Sequence, residues 1–141
     1  MGKIIRMVFC FVVVLIGACA SSPSTYEYSV SSTAERTANV QYTVTDQQAY
    51  SIAKAWVTSM GNAQLRSDDS EGGALSAIGS NRNWNWSCTI FVANRVARIT
   101  FSCTYRDNIW AVSRVGAENQ AASVANEWAD DRITSFQSSY R

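Results

Sequence analysis

Two adjacent runs, Trp84 to Ala93 and Val96 to Tyr105, constrain the fold more than any other part of the chain. Trp84, Trp86, Cys88, Ile90 and Val92 alternate with Asn85, Ser87, Thr89 and Phe91. In the second run Ile99, Phe101, Cys103 and Tyr105 alternate with Arg98, Thr100, Ser102 and Thr104. A period of two places each apolar set on one face of an extended strand, so the pair reads as an antiparallel hairpin with one buried face and one polar face broken only by Phe91. Setting Cys88 opposite Cys103 also sets Ile90 opposite Phe101, Val92 opposite Ile99 and Trp86 opposite Tyr105. A single register then accommodates the apolar face and both cysteines.

An apolar sheet face needs a covering layer, and two helical patterns supply it. Ala49, Ile52, Ala53, Trp56 and Met60 form one stripe. Thr45-Asp46-Gln47-Gln48 ahead of them has the form of a capping box, and Gly61 is placed to end the helix in a left-handed conformation. From about Gly116 to Tyr140, Ala121, Val124, Ala125, Trp128, Ala129, Ile133, Phe136 and Tyr140 recur at helical spacing, read as core packing. Before the first helix, Ala38, Val40, Tyr42 and Val44 alternate as a strand. After it come Ala63 to Arg66 and Ala74 to Ile78, two short strands joined by the turn-rich Ser67 to Gly73. Asn81-Arg82-Asn83 is a polar turn, and Ile109 to Val112 is a short strand or packed loop. The expected domain, residues 38–141, is therefore α+β, an antiparallel sheet of about five strands covered on one face by two helices in the order β-α-β-β-β-β-α.

The amino-terminal residues follow a different logic. Lys3 and Arg6 are a cationic start, Met7 to Ile16 is an uncharged apolar run, and Gly17-Ala18 supplies small residues before Cys19, the layout of an export signal. As a helix the run spans about 15 Å, too short for a hydrocarbon core of about 30 Å. Leu15-Ile16-Gly17-Ala18-Cys19 resembles the lipobox of bacterial lipoproteins. That resemblance implies removal of residues 1–18, a diacylglyceryl group on the Cys19 thiol and usually an acyl group, such as palmitate, on the new amino terminus. Cys10, inside the apolar run, would leave with the signal. Ala20, rather than Asp, follows Cys19, which implies the outer membrane of a two-membrane bacterium, with ordinary signal cleavage and a soluble product as the alternative. Residues 19–37, rich in Ser and Thr and holding the single Pro, read as the lipidated terminus and a flexible tether. Tyr26, Tyr28 and Val30 within that stretch also alternate in the manner of an edge strand.

Export bears on the cysteines. Two cysteines in an exported domain favour a bridge over metal binding or catalysis, and an 88–103 disulfide would stabilise the fold by about 3 kcal/mol.

The order of elements, with a Trp-bearing early helix and a tight terminal hairpin, resembles a bacterial domain family of unknown function described as having a TATA-binding-protein-like fold. The resemblance covers residues 38 to about 140 and implies a curved sheet with helices on one side, but no activity.

Chemistry is sparse. The chain has no histidine, which removes the commonest general base and zinc ligand together. No cofactor or metal site is expected: the acidic Ser67 to Gly73 turn lacks the alternating ligand pattern of a calcium loop. Ser51-Ile52-Ala53-Lys54 spells the S-x-x-K nucleophile signature of penicillin-recognising enzymes, but its companion motifs are missing. The near-neutral charge, 12 basic against 11 acidic residues before the leader is removed, shows no footprint for nucleic acid. Arg95, Arg98 and Arg106 on the hairpin read as solvated, with contact to an acidic partner as the sharper alternative. The expected function is a non-enzymatic, lipid-anchored envelope domain whose partners are the membrane, through Cys19, and another envelope protein. A carrier of lipid or other apolar ligands is the alternative, requiring a cavity lined by residues such as Trp56, Trp86, Phe101 and Trp128. A small enzyme using Ser51 and Lys54 is the remote one.

Overall fold

The computed structural model of the protein describes residues 23–141. The expected export signal and Cys19 lie outside the described residues. Five strands, β1 (Tyr26–Gln41), β2 (Gln64–Asp69), β3 (Ala74–Ser80), β4 (Trp84–Ala93) and β5 (Val96–Ala111), and two helices, α1 (Asp46–Ser59) and α2 (Arg114–Ser138), follow the order β-α-β-β-β-β-α. All pairings are antiparallel and the spatial order is β1-β5-β4-β3-β2. The last four strands form a meander by short turns. α1 carries the chain from β1 at one edge to β2 at the other, and both helices lie on one face, as the apolar patterns require.

The largest departure from expectation is β1. Residues 26–37, expected to belong to the tether, form most of a strand that begins at Tyr26 and pairs with β5 without interruption from Tyr26↔Ala111 to Gln41↔Val96. The folded domain thus starts about twelve residues before Ala38. The apolar density that this stretch lacks is supplied by how closely α2 approaches it. Ala117, Ala121, Ala125 and Ala129, four apart, are all fully buried, and this ridge of methyl groups lets the helix settle on small residues such as Ala34. Little side-chain volume is needed where both surfaces are small. Arg36, on the covered face, leans out to the helix: its Nε donates to Asp130 Oδ1 at 2.7 Å and its Nη2 to Asn126 Oδ1 at 2.8 Å. An ion pair this exposed contributes at most about 1 kcal/mol, so the alanine packing carries the contact.

β5 likewise runs through Asp107 and Asn108, where a break was expected, because both residues pair with β1 (Val30↔Asp107, Ser29↔Asn108). The Asp107 carboxylate accepts from Tyr105 OH at 2.6 Å and from the Asn108 backbone N–H at 2.8 Å, so a turn-forming residue is held inside a strand.

The β4–β5 register also differs from expectation. Ile90 faces Ile99, Cys88 faces Phe101 and Trp86 faces Cys103, a shift of two residues from the cysteine-matched pairing. The cause is the turn. Asn94 and Arg95 have φ of 53° and 65°, the two left-handed residues of a type I′ connection. The cysteine-matched register would have centred a two-residue turn on Arg95 and Val96, whereas the left-handed pair is Asn94 and Arg95 and Val96 is already paired with Ala93. A slip of two preserves which face each side chain occupies, so the buried set is the expected one.

α1 starts as expected, with the Thr45 side chain accepting from the Gln48 N–H and the Gln48 side chain accepting from the Thr45 N–H. Its end differs: the left-handed residue is Asn62, not Gly61. α2 begins at Ser113, whose hydroxyl accepts from the Gly116 N–H. It ends before Tyr140, which stacks on Tyr42 and donates its hydroxyl to the Ala49 carbonyl at 2.9 Å.

Candidate functional site

The sheet face turned away from the helices is built from every second residue of each strand, and its rows follow from the register. One row crosses all five strands as Thr37, Thr100, Thr89, Ser76 and Ser67. The next runs Glu35, Ser102, Ser87, Ile78 and Gln64, and a third Thr33, Thr104, Asn85 and Ser80. Hydroxyls bond across strands at Thr33–Thr104 (2.8 Å) and Ser67–Ser76 (2.9 Å). Strand spacing of about 4.8 Å sets their repeat. Each hydroxyl donates once and accepts twice, so these rows, in which Glu35 is the one charged residue and Ile78 the one apolar one, offer mostly neutral hydrogen bonding over a broad area. Phe91 interrupts it, 53% exposed, as its place in the alternation implied.

Cys88 and Cys103 are free, buried thiols, which corrects the expected disulfide. As diagonal neighbours they stand roughly 7–8 Å apart, beyond the Cα separation of about 6.8 Å that a bridge tolerates. Burial pushes the Cys88 thiol up to about 12 and raises that of Cys103, and the Cys103 Sγ donates to the Ala125 carbonyl at 3.5 Å. Both behave as small apolar residues, the opposite of a reactive pair.

Ser51 and Lys54 share α1 but are engaged separately. The exposed Ser51 hydroxyl donates to the Gln47 carbonyl at 3.1 Å, while Lys54 Nζ lies 2.6 Å from Asp68 Oδ2. Tyr50 OH donates to the other oxygen of Asp68 at 2.7 Å. The Lys54 hydrogen bond, then that of Tyr50, holds the Asp68 carboxyl below the ordinary range; burial, then Asp68, raises the Tyr50 phenol. This trio ties the exposed edge strand β2 to α1. Lys54 is thus committed to a carboxylate rather than to the serine three residues away.

Between the helices and the sheet, the residues named for a ligand cavity are packed on one another. Trp56 meets Phe136 edge-on at 5.1 Å between centroids and donates its indole N–H to Ser135, and Phe101 lies between Trp86 (6.2 Å) and Trp128 (5.3 Å). A surface cleft of about 590 Å³ opens beside Trp86, lined also by Asn62, Gln64, Gly79, Ser80 and Asn85. Its lining is mixed, Ile78 and Trp86 giving it an apolar side and Asn62, Gln64, Ser80 and Asn85 their amide and hydroxyl groups. The hairpin arginines are not gathered: Arg95 is at the turn, and Arg98 and Arg106 stand eight residues apart on β5, about 26 Å. One assembly escaped the sequence altogether. Trp84 stacks on Trp128 at 4.5 Å, with Arg132 over the same indole at 5.3 Å. No periodicity links a strand residue to a helix residue across the fold, so nothing in the sequence announces this pairing.

No protein-family model matches the chain, and no curated protein matches it. Among solved structures it is similar to a DUF4468 family protein from Bacteroides ovatus ATCC 8483, with a TM-score of 0.54 and 12% identity over 75% of this chain and 85% of that one. The likeness is one of fold. DUF4468 names a bacterial domain of unknown function, so the expected kind of relative is present without an activity attached. The di-domain ARO/CYC BexL from the BE-7585A biosynthetic pathway aligns at a TM-score of 0.44 and 12% identity over 77% of this chain, which spans 45% of BexL.

Proposed function

We propose that the chain is a lipid-anchored lipoprotein of the cell envelope whose folded part works by binding, with another envelope protein as partner. The observation that carries this reading is where the fold begins. β1 opens at Tyr26, seven positions after Cys19, so acyl groups on Cys19 would sit on a short leader outside the sheet and leave its packing untouched. Two or three acyl chains at one terminus make a lasting anchor, where one would be marginal. Among the described residues no helix is long and apolar enough to cross a membrane. The small residues before Cys19 supply the processing site, and Ala20 favours the outer membrane. An antiparallel sheet with two helices on one face also supports the TATA-binding-protein-like reading of the fold.

Growth with an alkyne-tagged fatty acid tests the anchor. The processed protein should take up the tag and sediment with membranes, and Cys19→Ser should do neither; an untagged wild-type protein would sink the reading. Capture of the acylated protein from its own membranes, against Cys19→Ala, tests the binding role. Partners that depend on the anchor support it, and identical partners from both proteins would show that anchoring does not organise the function.

A further inference from the structure

Of seven large apolar side chains that stand exposed among the described residues, four occupy one end of the molecule: Tyr26 (59% exposed), Trp110 (65%), Val112 (55%) and Val115 (64%). The register brings them together. Tyr26 pairs with Ala111 and Glu27 with Trp110; Val112 is the next residue, and Val115 lies in the first turn of α2. Tyr26 and Trp110 project from opposite faces of the strand pair, so this end is an apolar wedge rather than a flat patch.

The wedge is raised from the rest of the fold. β4 pairs with β5 only as far as Trp84↔Tyr105, and beyond that point β1 and β5 continue alone as a two-stranded ribbon through Tyr26 and Ala111. Six further residues extend about 20 Å. The ribbon is braced: Val30 and Ile109 pack with Ala117 and Ala121 of α2 as a buried cluster of their own. Its tip is therefore a fixed feature of the surface.

We infer that this tip rests in the interfacial layer of the membrane that carries the protein, an inference that depends on the anchor reading of Cys19. The length of the leader argues for this occupant. The seven Cα-to-Cα steps from Cys19 to Tyr26 reach at most about 25 Å when fully extended, and they join the fold at the wedge itself. An acyl anchor at Cys19 thus keeps this end within about 25 Å of the bilayer. Trp and Tyr suit that layer because each presents an apolar ring with a polar handle, and the valines add apolar area. The nearby charges are mixed, with Glu27, Arg114 over the Tyr28 ring at 5.4 Å and Glu118, so the contact requires no anionic lipid. Tethering raises the local concentration of bilayer enough that weak insertion is populated. The domain then stands on its ribbon with the hydroxyl-rich face of the sheet directed sideways, open to a partner.

The test uses the processed, acylated protein reconstituted in phosphatidylcholine vesicles, with and without brominated phosphatidylcholine, whose bromines quench indole emission only on contact. Bromolipid should quench part of the wild-type emission. Trp110→Phe should lose that quenchable part while keeping its near-ultraviolet circular dichroism, and Val112→Ser with Val115→Ser should reduce it while Trp110 remains. Mass spectrometry of the amino-terminal peptide reports the anchor separately. An acylated Cys19 with Trp110 unquenched overturns the inference and leaves the anchor standing; an unmodified Cys19 overturns both. Trp110-to-Trp110 proximity between two copies, without quenching, would assign the wedge to self-association instead.

Discussion

Trp86 lies flat against the bare backbone of Gly79, its cross-strand partner: a Cβ built on Gly79 would meet the indole at 2.3 Å. Because Trp86 also stacks on Phe101, the ring has nowhere to retreat without opening the core. Gly79→Ala should therefore destabilise the domain by about 1–3 kcal/mol, the usual scale of overpacking, with the loss read as a lower urea midpoint. An unchanged midpoint would mean that the indole is not held there.

Cys88 and Cys103 should behave as protected thiols. With Cys88 pushed up to about 12 by burial, neither it nor Cys103 should react with an alkylating agent at pH 8 in the native state, and both should react once urea unfolds the chain. A native mass lower by two hydrogens would reveal a bridge and contradict the register.

The β4–β5 turn holds Arg95 at φ 65°, a conformation that glycine adopts freely and a side chain does not. Arg95→Gly converts the turn to Asn-Gly, the preferred type I′ pair. Stability should rise by about 0.5–1 kcal/mol, after the extra chain entropy of glycine is deducted. A fall in melting temperature would argue for a different turn.

The Tyr50–Asp68–Lys54 trio makes stability depend on pH at both ends. The Asp68 carboxyl is lowered in the fold, so the unfolded chain binds its proton first; the contribution is complete above the unfolded value near 4 and is lost as pH falls through the folded one. The Tyr50 phenol is raised, so its contribution is complete below about pH 10 and is lost as pH climbs beyond that. Tyr105, pushed up to about 12 chiefly by its hydrogen bond to Asp107, acts in the same alkaline direction. Urea titrations across pH should show Asp68→Asn flattening the acid limb and Tyr50→Phe flattening the alkaline one. Unaltered limbs in both variants would remove the trio from the account of stability.

Local signals were strong where one element could be read by itself. The alternation of Trp84 to Val92 assigned every side chain of that strand to its face, and Thr45 with Gln48 marked the start of α1. The sequence also carried the residues of the uncovered hydroxyl face and the lipobox-like run at Cys19. Where two parts of the chain must be matched, local pattern no longer decides the pairing. Ser29 to Thr37 has the composition of a tether and becomes a strand only because β5 offers it a full ladder and the alanine ridge of α2 needs little volume to cover it. For β4 and β5 the two cysteines offer a conspicuous but misleading reason to align the strands two residues away from their actual register. The arrangement was decided instead by two left-handed residues, Asn94 and Arg95, without the glycine that usually signals such a turn.

By itself, then, the amino-acid sequence determined the α+β class, the order of the elements and which faces are buried, because periodicity and capping are properties of consecutive residues. Only the tertiary structure decided the extent of β1, the partners of Cys88 and Cys103, and the gathering of Tyr26, Trp110, Val112 and Val115 at one tip. Each of these depends on the register between segments distant in the chain, and register is settled by turn geometry and close packing rather than by local pattern.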